Sequence, residues 1–331
     1  MQQTNTELTS CLRMDTDFNA TEKLKREVLT GLTHSSKSIP SKYLYDTAGD
    51  RLFQDIMKMP EYYLTKCELD IFQNRTAELA AIITADPRPF DLIELGAGDA
   101  MKSAYLLQHL LKHDIEFTYR PIDISGNILE KLADRLGNEM PDLKIEPLQG
   151  EYFDMLAEAT SRSSKRKVVL FLGGNIGNME WDEIRKFCME LNQNLTSGDI
   201  VLIGFDLRKN PHTILDAYND QAGITAAFNL NILTRLNREL EADFDLSRFQ
   251  HYQTYDPLTG ACRSYLVSLS EQKVAIGGLT VSFGQNELIN IEVSQKFSPE
   301  EIAALADESD FKSLTTIEDS KGWFVDAAWI K

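Results

Sequence analysis

The chain has 331 residues, a length that corresponds to about two domains of ordinary size. Its residues are 43% hydrophobic and 26% charged, which is the composition of a soluble globular protein. The formal net charge of −17 disfavours a DNA or RNA substrate, because an acidic surface repels phosphate. A high net charge also serves solubility alone, so it indicates nothing further about the partner.

The cysteines predict neither a metal site nor a disulfide. The four of them lie far apart and form no C-x-x-C pair, as expected in a reducing, cytoplasmic environment. Residues 1–10 lack the apolar core of a signal peptide, and no apolar run approaches the length of a membrane span. Residues 1–19 are polar, and we expect them to be flexible.

Two aromatic segments precede the central part of the chain. Residues 36–46 and 60–65 lack clear periodicity and predict irregular loops. A tyrosine in such a loop either packs in the core with a solvated hydroxyl or covers a substrate. Thr65 followed by Glu68 predicts a capping box at the start of a helix that runs to about residue 85.

Residues 91–123 have the pattern of half a nucleotide-binding unit. Leu92, Ile93 and Leu95 form a short apolar run that predicts a buried parallel strand. Gly96 and Gly98 then allow a tight turn close to a ligand. A helical segment and a second strand follow, and this strand ends at Asp123. A carboxylate at that position can accept hydrogen bonds from both hydroxyls of a ribose.

The glycine pattern distinguishes between two kinds of nucleotide site. Met101 occupies the position of the third glycine of the dinucleotide fingerprint, so that fingerprint is absent. Glu94 followed by Gly96 and Gly98 is instead the pattern of S-adenosylmethionine (SAM) methyltransferases. The alternative is an ordinary turn between a strand and a helix, with Asp123 solvated.

The next two strands also end in polar residues. Residues 143–148 predict a third strand that leads into Glu151 and Tyr152, an acid and an aromatic ring suited to the edge and face of adenine. A solvated loop is the alternative there. The β run at residues 168–172 opens into Gly173–Asn178, at the strand end where ligands bind in parallel sheets. Asn178 offers both a donor and an acceptor to an amino acid's amine or carboxylate.

The pattern changes after Lys209. Residues 213–240 are helical, and several alternating strand-like segments follow them, so we assign this block to a second domain. Glu292 and Ser294 share one face of a later strand and either face solvent or line a site. A final helix and two strands, within residues 298–330, complete a seven-stranded sheet.

The expected architecture is therefore α/β with two domains. Residues 67–208 and 295–331 would form a class I SAM-dependent methyltransferase domain with a Rossmann-like seven-stranded sheet. Residues 20–66 and 209–294 would form an α+β substrate-binding domain, built from the N-terminal segment and an insertion.

Over nearly the whole chain, these motifs resemble the amino-acid betaine methyltransferases typified by the L-histidine Nα-methyltransferase of ergothioneine biosynthesis. The motifs are KYLYD at 42–46, MPEYY at 59–63, ELGAG at 94–98, FLGGNIGN at 171–178, AYNDQAGITAAFN at 217–229, NRELEADFD at 237–245 and EVSQKF at 292–297. The last three are specific enough that chance agreement is not credible.

The resemblance implies SAM as the cofactor, S-adenosylhomocysteine as the product, and no metal. Together with the glycine turn, it implies a cofactor site made of Gly96, Gly98, Lys102, Asp123, Glu151 and Tyr152. The substrate would be a small molecule, an amino acid, and we expect a cytoplasmic monomer that binds neither nucleic acid nor membrane.

The resemblance also implies roles for the substrate side. Tyr62, Asn178 and Tyr218 would hold the α-amine and the carboxylate. Glu292 and Ser294 would hold an imidazole, with Glu292 as the specificity switch, since a carboxylate accepts a hydrogen bond from an imidazole N–H.

The chemistry expected from the resemblance is transfer of methyl groups to the α-amine of L-histidine, up to the betaine hercynine. Tyr45 and Asn178 would orient the amine lone pair, and Gly173 and Gly174 would leave room for repeated methylation. The five histidines lie outside the matched motifs, so we expect the proton of the amine to pass to water.

Two departures from the family pattern bear on the substrate. Family members often carry Asp-Phe where this chain has Glu151 and Tyr152, a conservative change for adenosine binding. Ser264 stands near the position where the histidine enzyme presents a methionine beside the ring. Methylation of another amino acid, such as a tryptophan derivative, therefore remains an alternative. A non-catalytic SAM-binding protein and a macromolecule methyltransferase are further, more distant alternatives.

Overall fold

The computed structural model describes residues 20–331, so the prediction for residues 1–19 lies outside the described part. The chain divides into two compact units. Among the described residues, the first unit comprises residues 20–62 and Pro211–Val293, and the second comprises Tyr63–Asn210 and Ser294–Lys331. The assignment of substrate to the first unit and of SAM to the second remains a prediction.

The second unit contains the seven-stranded sheet. Its strands are β2 (Phe90–Leu95), β3 (Phe117–Asp123), β4 (Leu148–Gln149), β5 (Arg166–Phe171), β6 (Ile200–Asp206), β12 (Lys312–Glu318) and β13 (Phe324–Ile330). They follow the order β12-β13-β6-β5-β2-β3-β4. The strands from β6 to β4 are parallel, whereas β13 is antiparallel to β6 and β12 antiparallel to β13. The α/β sheet predicted from the sequence is therefore confirmed.

The helices of the second unit connect these strands. They are α3 (Leu64–Asn74), α4 (Thr76–Ile83), α5 (Ser103–Lys112), α6 (Gly126–Glu139), α7 (Tyr152–Arg162), α8 (Trp181–Gln193) and α11 (Pro299–Glu308). The single helix predicted to reach residue 85 is two helices, α3 and α4. The third strand is also shorter than predicted, since Ile145 makes only an isolated bridge to Tyr119 before β4.

The core of the second unit follows from its apolar runs. Every residue of the three adjacent strands β2, β5 and β6 is buried, as expected for parallel strands covered by helices on both faces. Large rings such as Phe205 and Trp329 are fully buried, and each contributes roughly 2–3 kcal/mol to the free energy of unfolding.

The first unit is α+β. Its described elements are a helix over residues 20–33 (α1), β1 (Lys37–Ser38), a 3-10 turn (Ser41–Leu44), α2 (Thr47–Lys58), α9 (Pro211–Ala217), α10 (Ile224–Glu239), a 3-10 turn (Leu246–Arg248), β7 (Phe249–Tyr255), β8 (Ala261–Ser268), β9 (Gln272–Ile276), β10 (Leu279–Phe283) and β11 (Leu288–Gln295). One sheet has the order β1-β11-β8-β7, and β9 and β10 form a separate hairpin. The last two residues of β11 belong to the second unit.

The helix predicted over residues 213–240 is broken in the structure. Helices α9 and α10 are separated by a turn in which Gly223 has a φ of 75°. The Asp220 carboxylate accepts hydrogen bonds from the N–H groups of Ile224 and Thr225, each at 2.8 Å, and so satisfies the start of α10. Within the described residues 20–331, no helix is long and apolar enough to cross a membrane.

Gly204 lies in the middle of β6 and allows neighbouring side chains to approach this strand closely. A Cβ atom at this position would lie 2.5 Å from Oε1 of Glu68 and 3.0 Å from the ring of Phe324. Since both neighbours are buried, neither has space to move away. A residue without a side chain is therefore required at this position.

We expect Gly204→Ala to lower the free energy of unfolding by about 2 kcal/mol, because the added methyl group overpacks the site. Gly137→Ala is the control, since a Cβ on this exposed part of α6 meets nothing within 4 Å. The control should raise the free energy by up to about 1 kcal/mol. Urea denaturation of both variants measures the difference, and equal effects would contradict the close approach at Gly204.

Candidate active site

The turn after β2 is held by the acid at the end of β3. Gly96 and Gly98 have φ values of 70° and 53°, in the left-handed region that favours glycine. Oδ2 of Asp123 accepts a hydrogen bond from the Gly98 N–H at 3.2 Å, and Oδ1 accepts one from the Ser125 N–H at 2.9 Å. The carboxylate is thus fixed in direction and retains lone pairs for a ligand.

Tyr152 packs against the same turn. A Cβ atom at Gly96 would lie 2.7 Å from the Tyr152 hydroxyl oxygen, and the Tyr152 ring meets the Phe171 ring edge-on at 5.9 Å. Burial, and then the charges of Asp123 and Glu151, raise the pKa of Tyr152 to about 12. The structure therefore brings Tyr152 together with the turn and with both carboxylates.

The capping box predicted for Thr65 and Glu68 is wrong. Tyr63 is the N-cap residue of α3, without a side-chain cap, and Glu68 is fully buried. The Glu68 carboxylate pairs with the Lys102 ammonium and accepts the Gly173 N–H at 2.7 and 2.9 Å from its two oxygens. Glu68 thus links the Lys102 turn to the end of β5.

Two more carboxyl groups lie within electrostatic reach of Lys102. Asp326 is 1% exposed, and neither of its carboxyl oxygens has a hydrogen-bond partner among residues 20–331. Burial, and then the charge of Glu68, raise the pKa of Asp326 well above its ordinary value. Burial also raises the pKa of Glu94 to about 7, although the Tyr119 hydroxyl donates a hydrogen bond to it. Three carboxyl groups therefore share one ammonium, which favours a protonated Asp326 at neutral pH.

The glycine-rich loop follows β5. It forms a 3-10 turn over Asn175–Asn178, and Gly173 and Gly174 before it have φ values of 84° and 66°. A Cβ atom at Gly174 would lie 3.3 Å from the ring of Phe324. Glycine at both positions is thus a requirement of the backbone, and at Gly174 also of packing.

Gly177 connects this loop to the end of β11. A Cβ atom at Gly177 would lie 2.7 Å from the carbonyl oxygen of Gln295, so the two backbones are in direct contact. Within the second unit, the structure therefore brings the turn that carries Asn178 next to the strand end that carries Ser294. Asn178 is exposed, whereas Ser294 is buried.

A buried polar network lies behind Ser294. The Lys296 side chain is fully buried, and its ammonium donates to Ser294 Oγ at 2.7 Å and to Asp206 Oδ2 at 2.7 Å. Asp206 also accepts from the Tyr63 hydroxyl at 2.9 Å and from Lys209 at 2.5 Å. One carboxylate thus serves two ammonium groups and a phenol.

Within the first unit, the tyrosines predicted to bind substrate belong to one aromatic cluster. Its members are Tyr45, Phe53, Tyr62, Tyr218 and Phe228. Tyr62 meets Phe53 and Tyr218 edge-on, each with ring centroids 6.3 Å apart. Tyr45 meets Phe53 at 5.4 Å and Phe228 at 5.5 Å. Three of the five rings carry hydroxyl groups, so the cluster is apolar with several polar ends.

Glu292 lies close enough to this cluster to affect its ionisation. Tyr45 is 38% exposed, and partial burial, followed by the charges of Glu292 and Tyr62, raises its pKa well above the ordinary value. The Tyr45 hydroxyl is therefore neutral at physiological pH and both donates and accepts hydrogen bonds. A carboxylate and a neutral phenol thus lie within electrostatic reach of each other in the first unit.

The segment that carries Tyr45 is anchored by the next residue. The Asp46 carboxylate caps α2 by accepting the Gly49 N–H at 2.8 Å. It also accepts from Asn231 at 2.8 Å and from Arg238 at 2.7 Å, both on α10. Asp46 therefore fixes the position of Tyr45 relative to α10.

Ser264, at the departure from the family pattern, is 2% exposed in β8. Strand β8 is the neighbour of β11, which carries Glu292, in the four-stranded sheet. The residue near the position predicted to carry the family's methionine is therefore small, polar and buried beside the strand of the predicted specificity switch.

Six residues of these clusters received no functional role in the sequence analysis. They are Glu68, Asp326, Asp206, Lys296, Phe53 and Phe228. Lys296 and Phe228 lie inside the family motifs, which was the available signal for them. Asp326 and Asp206 carried a weaker signal, since each is an acid in an otherwise apolar strand.

The residues around the β2 turn fit the chemistry of SAM. The fixed Asp123 carboxylate suits the two ribose hydroxyls, and the open space at Gly98, where a Cβ meets nothing within 4 Å, leaves access for a ligand. The ring face of Tyr152 and the carboxylate of Glu151 suit the face and the edge of adenine. The Lys102 ammonium suits the carboxylate of the methionine part.

The sheet consists of five parallel strands followed by β13, which is antiparallel to β6, and by β12, which is antiparallel to β13. This is the sheet of class I SAM-dependent methyltransferases, and this is the class of the protein. Residues 24–331 match the family model of the histidine-specific, SAM-dependent methyltransferases. The chain belongs to this family.

Several named relatives are similar to this chain over long stretches. The histidine N-alpha-methyltransferase of Mycolicibacterium smegmatis is 35% identical over 308 residues, which are 92% of this chain and 94% of the relative. Ergothioneine biosynthesis protein 1 of Schizosaccharomyces pombe is 31% identical over 85% of this chain but only 37% of its own length. The L-tryptophan methyltransferase of Psilocybe serbica is 26% identical over 88% of each chain.

The raised pKa of Asp326 predicts a pH-dependent stability. Folded Asp326 keeps its proton, whereas in the unfolded chain it ionises above about pH 4. Unfolding therefore releases a proton, and the free energy of unfolding falls by up to about 1.4 kcal/mol per pH unit above that value. Asp326→Asn removes this dependence on pH. The free energy of unfolding of the variant, relative to that of the unchanged protein, should therefore be higher at pH 7.5 than at pH 5.5.

Urea denaturation at the two pH values measures this difference. Asp307→Asn, an exposed change on α11, is the control and should show no such dependence. A stability difference for Asp326→Asn that is the same at both pH values would contradict a protonated Asp326.

Proposed function

We propose that this enzyme transfers methyl groups from SAM to the α-amine of L-histidine, up to the trimethylated betaine hercynine. The observation that supports it most is the placement of Glu292, a carboxylate that acts on the ionisation of Tyr45 in the aromatic cluster. A carboxylate beside tyrosines can accept a hydrogen bond from a ring N–H of the substrate. Membership of the histidine-specific family and the mycobacterial relative support the same substrate.

On the cofactor side, we assign each residue by its chemistry. Asp123 accepts from the ribose hydroxyls, Glu151 and Tyr152 hold adenine, and Gly96 and Gly98 let the backbone approach the ligand. Lys102 binds the carboxylate while Glu68 keeps its ammonium in place. When bound, SAM supplies an electrophilic methyl group on a sulfonium.

On the substrate side, the proposal separates the backbone of the amino acid from its ring. Tyr62, Tyr218 and Asn178 hold the α-amine and the carboxylate through their hydroxyl and amide groups. Glu292 and Ser294 hold the imidazole from one face of β11.

The protein contributes to catalysis by aligning the amine lone pair with the methyl group, through a Tyr45 hydroxyl that is neutral. Tyr45, neutral because of its raised pKa, and Asn178 accept from the amine N–H groups and so direct the lone pair. Fixing this direction supplies the orientation that an in-line displacement needs. Because Gly173 and Gly174 have no side chains, their loop leaves room for an amine that grows by successive methyl groups.

Methylation of a tryptophan derivative is the second candidate. The relative from Psilocybe serbica and the small Ser264 in place of methionine favour it. Glu292 opposes it, since an indole would place a large apolar surface against a carboxylate that is costly to desolvate. We therefore rank histidine first. Action as a cytoplasmic monomer without metal or nucleic acid, as the first step of ergothioneine-type biosynthesis, remains a prediction.

The cofactor assignment is tested by binding alone. Asp123→Ala should weaken the binding of S-adenosylhomocysteine by about 10- to 100-fold, because hydrogen bonds to a carboxylate are lost. Isothermal titration calorimetry measures the dissociation constant. Asp142→Ala, a change of an exposed aspartate, is the control, and an unchanged affinity in Asp123→Ala would contradict the ribose assignment.

The substrate is tested by mass spectrometry of the protein incubated with SAM and each of the twenty amino acids. We expect three added methyl groups on histidine and none on the others. Glu292→Ala should lower kcat/KM for histidine by at least about tenfold, because a charge-assisted hydrogen bond is lost. Glu271→Ala, an exposed change in the first unit, is the matched control.

Two other outcomes of this experiment would each overturn one part of the proposal. Methylation of tryptophan but not histidine would overturn the substrate and keep the chemistry. Histidine that receives a single methyl group would overturn only the proposed extent of the reaction.

A further inference from the structure

We propose that His109 and His113 form a chelating pair on the surface of the second unit, which binds a divalent transition-metal ion such as Cu²⁺, Ni²⁺ or Zn²⁺. The pair lies at the end of α5, and neither residue belongs to the proposed cofactor or substrate site. Metal binding here is therefore independent of the proposed methyl transfer.

The spacing of the two histidines is that of a known type of metal ligand pair. They are four residues apart in the segment HLLKH, at residues 109–113. On a helix, residues four positions apart lie on the same face, and two histidines in this spacing can share one metal ion. The corresponding metalloprotease motif carries a glutamate as general base directly after the first histidine. Leu110 occupies that position here, so the segment predicts metal binding without hydrolysis.

The structure brings the two imidazole rings together. Their centroids are 4.3 Å apart, and the ring planes are inclined by 29°. Two bonds of about 2.0–2.1 Å to one metal ion place the two ligating nitrogen atoms roughly 3 Å apart. Because His113 is exposed and His109 is only half-buried, a small rotation of the side chains can bring the nitrogen atoms to this separation without a change in the helix.

One hydrogen bond determines which nitrogen of His113 is available to a metal ion. The Nδ1 atom of His113 lies 2.8 Å from the backbone carbonyl oxygen of His109. A carbonyl oxygen can only accept a hydrogen bond, so Nδ1 carries the hydrogen and Nε2 of the neutral ring keeps its lone pair. Histidines that bind metal ions are commonly oriented by such a bond to a carbonyl group. His113 is therefore already oriented as a ligand.

The charges around the pair favour a cation. His109 lines a surface cavity of about 670 Å³ together with Lys112, Glu139 and Asp142. Two carboxylates and one ammonium group leave an excess of negative charge there, in a chain whose formal net charge is −17.

The kind of metal ion follows from the ligands. Among residues 20–331, no group of three or more histidine, cysteine or acidic side chains could hold a metal ion. The pair therefore supplies two imidazole ligands, and water completes the coordination. Imidazole suits Cu²⁺, Ni²⁺ and Zn²⁺, whereas Mg²⁺ and Ca²⁺ prefer oxygen ligands.

The experiment is a calorimetric titration of the protein, prepared without an affinity tag, with NiCl₂ and in parallel with MgCl₂. Ni²⁺ should bind at this pair and Mg²⁺ should not. His109→Ala and His113→Ala should each weaken the binding of Ni²⁺ by at least about tenfold. The double variant should lose little more than either single variant, because a chelate needs both rings. His34→Ala, a change of an exposed histidine in the first unit, is the control.

Electron paramagnetic resonance of bound Cu²⁺ provides a second measurement. The unchanged protein should give the spectrum of Cu²⁺ with two imidazole nitrogens, and each single variant should lose this spectrum. The affinity for S-adenosylhomocysteine should be the same in all these variants, which reports that the second unit remains folded.

An unchanged affinity for Ni²⁺ in the double variant would place the ion elsewhere and overturn the proposal. Losses that add in the double variant would describe two independent imidazoles and would overturn the chelate. A protein that does not methylate histidine would overturn only the proposed function, since neither metal measurement depends on activity.

Discussion

A single lysine ammonium is shared by a group of buried carboxyls in the second unit. Lys102 pairs with Glu68, which also receives the N–H of Gly173, and both Asp326 and Glu94 lie within its electrostatic reach. Because one positive charge cannot neutralise three negative ones without water, the group is stable only if protons remain bound. The turn after β2, the end of β5 and the strand β13 all depend on this balance for their relative positions.

The sequence predicted the seven-stranded sheet because its signals are local. Apolar runs such as 168–172 form buried strands, and the glycines at 96 and 98 permit a tight turn. The family motifs covered the residues predicted to bind substrate for a similar reason, since each motif is contiguous. These signals needed no knowledge of which distant segments meet.

The partners of buried charges were not predictable in the same way. Glu68 has the spacing of a capping residue, and only the contact with Lys102 shows that it points into the interior. Phe53 matches an ordinary helix face, although its ring joins Tyr45 to Tyr62. The long helix predicted over 213–240 broke because Asp220 offers the backbone a cap that helix propensity does not register.

The contact between Gly177 and Gln295 has a consequence for how the specificity of this fold can change. Two backbones without a side chain between them behave as one rigid piece, since neither can shift without a clash or a gap. A replacement that displaced the end of β11 would move the turn of Asn178 with it. The specificity of this fold is therefore easier to change by replacing single side chains that line the site than by moving the end of β11.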